Sequence, residues 1–327
     1  MGGYDLVKET VKPEVLLVTG CSHSAGFEIL GEQGYPKSKI YKKDIVYEER
    51  YRSFGGHLSR KNNLIHINVC HPGLDNITIM RNTVRKINQL LTQYDSSKII
   101  SLIGWTGYPR LAIPYNGNLK MLSAHIDLMP NWTKLQDKKI VKFWKLWRDL
   151  IALQPYDVQV YNQLFQYQLL RSFLRDKNIS YYMFNAVECL KPFHKIKDFL
   201  ELPAPDEYNQ EDRSYDLEGI KILANDVRFR HPFDPEEIYY QHLVKKGHDP
   251  KKGGRWHHFE EPAHIMWSEV LDKEMTELGI LPKEKQYEVP KELTLPIKDQ
   301  HIDENIIQKS GHSNEKDPRD WRQPYRK

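Results

Sequence analysis

Four short apolar runs do most to limit what this chain can fold into. Glu14-Val-Leu-Leu-Val-Thr19, Leu64-Ile-His-Ile-Asn-Val69, Lys98-Ile-Ile-Ser-Leu-Ile103 and Ile179-Ser-Tyr-Tyr-Met-Phe184 lack the strict alternation of a strand with one wet face. Strands buried on both faces read this way, as in a parallel sheet covered by helices. Helical patterning fills the intervals. Ile77, Met80, Val84, Ile87 and Leu91 recur three or four residues apart, predicting one helix. The apolar stretch from about residue 139 to 176, interrupted near Pro155, predicts two more. Strands alternating with helices imply right-handed βαβ units and a layered α/β domain.

Such a sheet binds ligands at the carboxyl ends of its strands, so the loops after residues 19, 69 and 104 share one rim. Segments 31–56, 107–138 and 186–250 lack clear periodicity and read as insertions over that rim. The main domain is therefore expected to span 1–286, followed by a polar extended or disordered tail over 287–327. At 327 residues the chain is long enough to bury a large core without staples. Its 48 basic and 44 acidic residues nearly balance, which argues against a dedicated nucleic-acid binder. Three cysteines, Cys21, Cys70 and Cys189, make no disulfide framework and fit a reducing compartment. The first residues lack the apolar core of a secretory signal, and no window approaches a membrane span. The expectation is cytoplasmic synthesis with no membrane partner.

The rim loops carry the chemistry. Gly20-Cys-Ser22-His-Ser-Ala-Gly26 follows the first strand and precedes a helix, so its glycines allow a tight turn that lifts the Ser22 hydroxyl. His71-Pro-Gly73-Leu-Asp-Asn76 ends the second strand, and Gly104-Trp105-Thr106-Gly107 ends the third. Near the far end, His257-His258-Phe-Glu260-Glu261-Pro262-Ala-His264 runs into a helix. A histidine facing a serine is what general-base activation of an alcohol requires. His257 and Glu261 also stand four apart, but Pro262 argues against a helix beginning before about 261, so no metal site is expected.

These four blocks, in this order, resemble those of the SGNH (GDSL-type) hydrolases, with a texture similar to SGNH-like proteins of tailed bacteriophages. The resemblance spans roughly residues 13–110 and 140–275. It implies a three-layer, flavodoxin-like α/β/α fold with insertions and a C-terminal extension, and an enzyme cleaving esters. It assigns the nucleophile to Ser22, the base to His258 and an oxyanion donor to Gly73. Two positions depart from the family pattern. Thr106 replaces the oxyanion asparagine, and Arg255 stands where the triad aspartate belongs, leaving Asp249, Glu260 or a carbonyl to orient the base. Asn76, Trp105 and Arg110 are candidate substrate contacts; Trp105 and Tyr108 would suit a sugar-binding wall, and Arg110 a carboxylate or phosphate.

The implied function is a serine esterase needing no cofactor, with an O-acetylated carbohydrate as the leading substrate. The competing class is a catalytically weak SGNH module with a binding or virion-structural role, its tail contacting a partner or a second copy. A carboxylate within reach of His258 would favour the enzyme, and a tail lying along a neighbour would favour the module.

Overall fold

The computed structural model describes residues 12–27, 29–30, 43–107, 110–115, 118–123, 138–153, 156–187, 221–250 and 258–283. The expected tail over 287–327 lies outside them. β1 (Val15–Gly20), β2 (Ile65–Asn68), β3 (Ile99–Trp105), β6 (Ser180–Asn185) and β7 (Phe229–Arg230) form one sheet ordered β2-β1-β3-β6-β7, parallel throughout. Counted within the sheet this is the doubly wound order 2-1-3-4-5, whose switch point lies between β1 and β3. The four apolar runs seen in the sequence are the first four of these strands, each matched to within two residues.

Alternation along the strands divides the core in two. Val15 and Leu17 of β1, with Ile99 and Ile103 of β3, pack under α4 (Asn76–Leu90) and α6 (Tyr156–Asp176). Leu16, Val18, Ile100 and Leu102 face α3 (Phe54–Lys61), α7 (Tyr239–Lys245) and α8 (Glu261–Glu277). The result is three layers, α/β/α. Two apolar half-cores, each sealed by helices, drive its assembly.

Local signals set the helix ends. Asp75 caps α4 by accepting from the Thr78 amide at 2.8 Å, a bond typically worth about 1 kcal/mol. Pro262 stands in the first turn of α8, so that helix begins where the proline predicts. The break near Pro155 separates α5 (Lys138–Leu153) from α6. The facing of α4 departs from the sequence expectation: Ile77 is exposed, and the buried stripe runs through Ile79, Thr83, Ile87 and Leu90.

The three segments expected to be insertions hold regular structure. Described residues of 31–56 form α2 (Lys43–Arg52) and the start of α3, with Ser53 and Phe54 fully buried. Two adjacent glycines hid this helix, and they are there because the helix lies hard against its neighbours. A Cβ on Gly55 would come within 2.7 Å of Val18 Cγ2, and one on Gly56 would collide with the Tyr51 carbonyl. Segment 107–138 contains the antiparallel pair β4 (Arg110–Tyr115) and β5 (Asn118–Ser123). Asn116-Gly117 between them is the strongest short hairpin signal a sequence offers. Segment 186–250 supplies β7 and α7, whose Phe229, Tyr239 and Leu243 belong to the core.

Candidate active site

Ser22 begins α1 (Ser22–Ala25), a single helical turn directly after β1. The turn closes through Ala25 N–H to the Cys21 carbonyl at 3.0 Å and Phe27 N–H to the Ser22 carbonyl at 3.1 Å. Gly26 ends it in the left-handed region, where a glycine is least strained, and leaves room for the Glu49 carbonyl. Beneath the turn, Gly20 and Gly104 face each other across the β1–β3 pair. A side chain on either would strike Ser24 Oγ, so the two glycines form a notch in which Ser24 sits. That notch fixes Ser22 at the carboxyl end of the sheet, beside the switch point. Cys21 points into the core among Leu16 and Val18, as the sharp turn predicts for its neighbour.

His258 precedes the α8 N-cap Glu260 by two residues and is buried. Its ring meets His23 at 4.6 Å between centroids, tilted by 45°, and Phe27 at 5.1 Å. His258 thus packs against His23 and Phe27, residues of the turn that Ser22 begins and its immediate C-terminal side. Among the described residues no hydrogen bond joins Ser22 Oγ to His258. Arg255 and His257 lie outside the described residues. Glu261 is committed elsewhere, accepting from Arg52 Nη1 at 3.0 Å and facing His57 Nε2 at 3.1 Å.

Gly73 occupies the third position of a turn closed by Leu74 N–H to the His71 carbonyl at 3.4 Å. Its φ of 83° after Pro72 is the type II pattern, which requires a glycine there. Thr106 is fully buried, and its hydroxyl has no partner among the described residues. Its backbone is clamped by Asn76: the Thr106 amide donates to Asn76 Oδ1 at 2.9 Å, and Asn76 Nδ2 donates to the Thr106 carbonyl at 3.3 Å. Asn76 therefore holds the second and third rim loops together; both ends of its amide are spent inside the protein, which corrects its expected role as a substrate contact. Trp105 is corrected too. Strand parity turns it onto the α4/α6 face, fully buried against Tyr167 at 4.5 Å, so it offers no wall to a sugar. Tyr108 lies outside the described residues. Arg110 opens β4, and its Nη1 is buried with no hydrogen-bond partner among the described residues.

Sequence reasoning assigned His23 to turn formation and so missed its place in the site. Burial first, then His258 and Arg110, hold its pKa well below the ordinary histidine value, so the ring is neutral. Its Nδ1 is buried and unpartnered. His264, the second histidine of the last block, is a structural residue. Its Nδ1 accepts from the Phe54 amide at 3.3 Å, and its Nε2 faces Tyr239 Oη at 3.4 Å. Burial, followed by neighbouring histidines, holds it neutral as well. Among the described residues no group of three or more His, Cys, Asp or Glu side chains could hold a metal ion, and no helix is long and apolar enough to cross a membrane.

The buried histidines give a pH dependence with a definite sign. His66 is pushed down to about 3, chiefly by burial and then by Arg50 and Arg60; His23 and His264 are lowered as well. The unfolded chain takes up these protons near pH ~6.5, whereas the native state refuses them until far lower pH. Stability is therefore complete above pH ~6.5 and falls as pH drops toward about 3. Each histidine contributes at most ~1.4 kcal/mol per pH unit. Urea midpoints at pH 7.5, 6.5 and 5.5 check this, and a flat profile would contradict it.

Compared with family models, curated proteins and solved structures, the chain matches none of them.

Proposed function

We propose that this protein is a serine acyl hydrolase of the SGNH type that cleaves a carboxylic ester. One observation supports the reading: Ser22 begins the turn held by Ser24 on the Gly20/Gly104 notch at the switch point of the sheet, and the ring of the adjacent His23 lies 4.6 Å from that of His258, two residues before the N-cap of α8. Ser22 Oγ attacks the ester carbonyl while His258 accepts its proton. The Ser22 and Gly73 amides receive the developing oxyanion, with the Thr106 hydroxyl as the third donor. Collapse of the tetrahedral intermediate breaks the C–O bond, and His258 returns the proton to the departing alcohol. Water, activated by the same imidazole, then releases the acid and restores the serine. An O-acetylated carbohydrate is the leading substrate. No metal or cofactor takes part in this scheme.

The test is labelling of the folded protein with a fluorophosphonate, followed by mass mapping of the adduct. An adduct on Ser22 that heat denaturation prevents is the expected result. No adduct on the folded chain would sink the serine mechanism and leave a binding or virion-structural module as the better reading.

A further inference from the structure

One helix keeps an apolar stripe in the open. In α5 the residues Phe143, Leu146 and Leu150 are 41%, 59% and 57% exposed. Their spacing of three and then four puts them on one face. Of residues 138–150 only Ile140 and Trp144 are buried, so these two fasten the helix to the body while most of its surface meets solvent. The polar side is basic: Lys138, Lys139, Lys142, Lys145 and Arg148 stand against a single carboxylate, Asp149. Arg148 is engaged within the helix, its Nη2 3.5 Å from Asp149 and its guanidinium 4.9 Å from the Trp144 ring. The four lysines are exposed. Lys139 stands one turn before Phe143 and Lys142 one turn before Leu146, so positive charge borders the stripe at its start and along one side.

We infer that α5 is an interfacial helix, which lays Phe143, Leu146 and Leu150 into the surface of an anionic membrane while its lysines meet the charged headgroups. Three features favour lipid over a protein partner. Lysine is depleted at protein interfaces, where arginine and the aromatics are enriched, and four of the five cations here are lysines. Lysine stems lie along apolar surface and carry their charge out to the headgroup level. A projecting helix needs a groove in a protein partner, whereas a fluid lipid surface accepts it as it stands. The excess of positive charge selects anionic headgroups. No membrane span is involved: among the described residues no helix is long and apolar enough to cross, and an interfacial helix lies in the headgroup plane. Ser22 has no part in this binding.

Sedimentation of the full chain with vesicles tests this, using phosphatidylcholine alone and an equal mixture of phosphatidylcholine and phosphatidylserine. Binding to the mixed vesicles, far weaker on phosphatidylcholine alone and reduced by added salt, is the expected result. Lys142→Gln/Lys145→Gln should weaken it by about 5-fold per lysine. Leu146→Ser/Leu150→Ser should weaken it by ~10-fold or more, because two apolar side chains no longer leave water. All four positions are exposed, so both variants should keep the wild-type urea midpoint. Ser22→Ala should bind as wild type does. Binding unmoved in either folded double variant would overturn the lipid assignment, and so would a wild type that ignores the mixed vesicles. In the latter case self-association lost in Leu146→Ser/Leu150→Ser would give the stripe to a second copy, and binding to soluble polyglutamate would give it to an acidic protein.

Discussion

Replacing Ser22 by alanine is expected to abolish fluorophosphonate labelling and to lower ester kcat/KM by about 10⁴-fold or more. His258→Ala should produce a loss of the same order, and the double variant should be no worse than the single ones. Groups that act as one unit fail together, so their effects do not add. Neither change should unfold the protein. Ser22 contributes only a hydroxyl to the turn, whose hydrogen bonds run through the backbone and whose footing is Ser24 in the Gly20/Gly104 notch. Circular dichroism and a urea midpoint close to wild type establish this for each variant. If label persists in Ser22→Ala and maps to Cys21 or Ser24, the assignment of the nucleophile is wrong. Additive losses in the double variant would show that His258 acts on something other than the serine.

Trp267→Ala should cost about 3–5 kcal/mol of folding stability, read as a lowered urea midpoint. The indole is fully buried in α8 and touches three rings: Phe184 at 5.4 Å, Tyr239 at 5.2 Å and His242 at 5.5 Å. Arg230 lies over it at 5.1 Å. No neighbour can collapse into the space an alanine leaves, because Phe184 and Tyr239 are held by the sheet and by α7 respectively. Trp267 Nε1 has no hydrogen-bond partner, so the loss is one of packing and of the Arg230 contact with the ring. Trp267→Phe should accordingly lose less than Trp267→Ala, keeping a ring in the cluster and removing an unmatched donor. A phenylalanine variant as unstable as the alanine one would mean that the indole N–H matters after all.

Much of the architecture was legible because both-face burial removes alternation from a strand. That signal located β1, β2, β3 and β6, and a proline located the start of α8. It could not locate β7, which is two residues long and has no room for a pattern. The helix over Phe54–Lys61 was obscured by Gly55 and Gly56, residues that usually argue against a helix but here permit its close approach to Val18. The hairpin at Arg110–Tyr115 and Asn118–Ser123 was announced by Asn116-Gly117 and passed over.

The site divides along the same line. Ser22, Gly73 and His258 stand where the sequence put them, at strand or helix ends: Ser22 after β1, Gly73 in the turn after β2 and His258 just before α8. Trp105 was misjudged although period-two counting from Ile99 and Ile103 already places it on the α4/α6 side. Asn76 and His23 depended on distant partners, the Thr106 backbone and the His258 ring, and no local spacing encodes those meetings.

The glycine notch has a bearing on how such a protein can change over time. The serine's height above the sheet is set by two strands that have given up their side chains, not by the loops around it. Those loops can lengthen, shorten or exchange residues while the Ser22 hydroxyl stays where it is. The cost is rigidity at positions 20 and 104, where even a methyl group would strike Ser24 and lift the turn. Mutational tolerance around this turn should therefore be sharply uneven: permissive in the loops, and nearly nil at the two glycines beneath it.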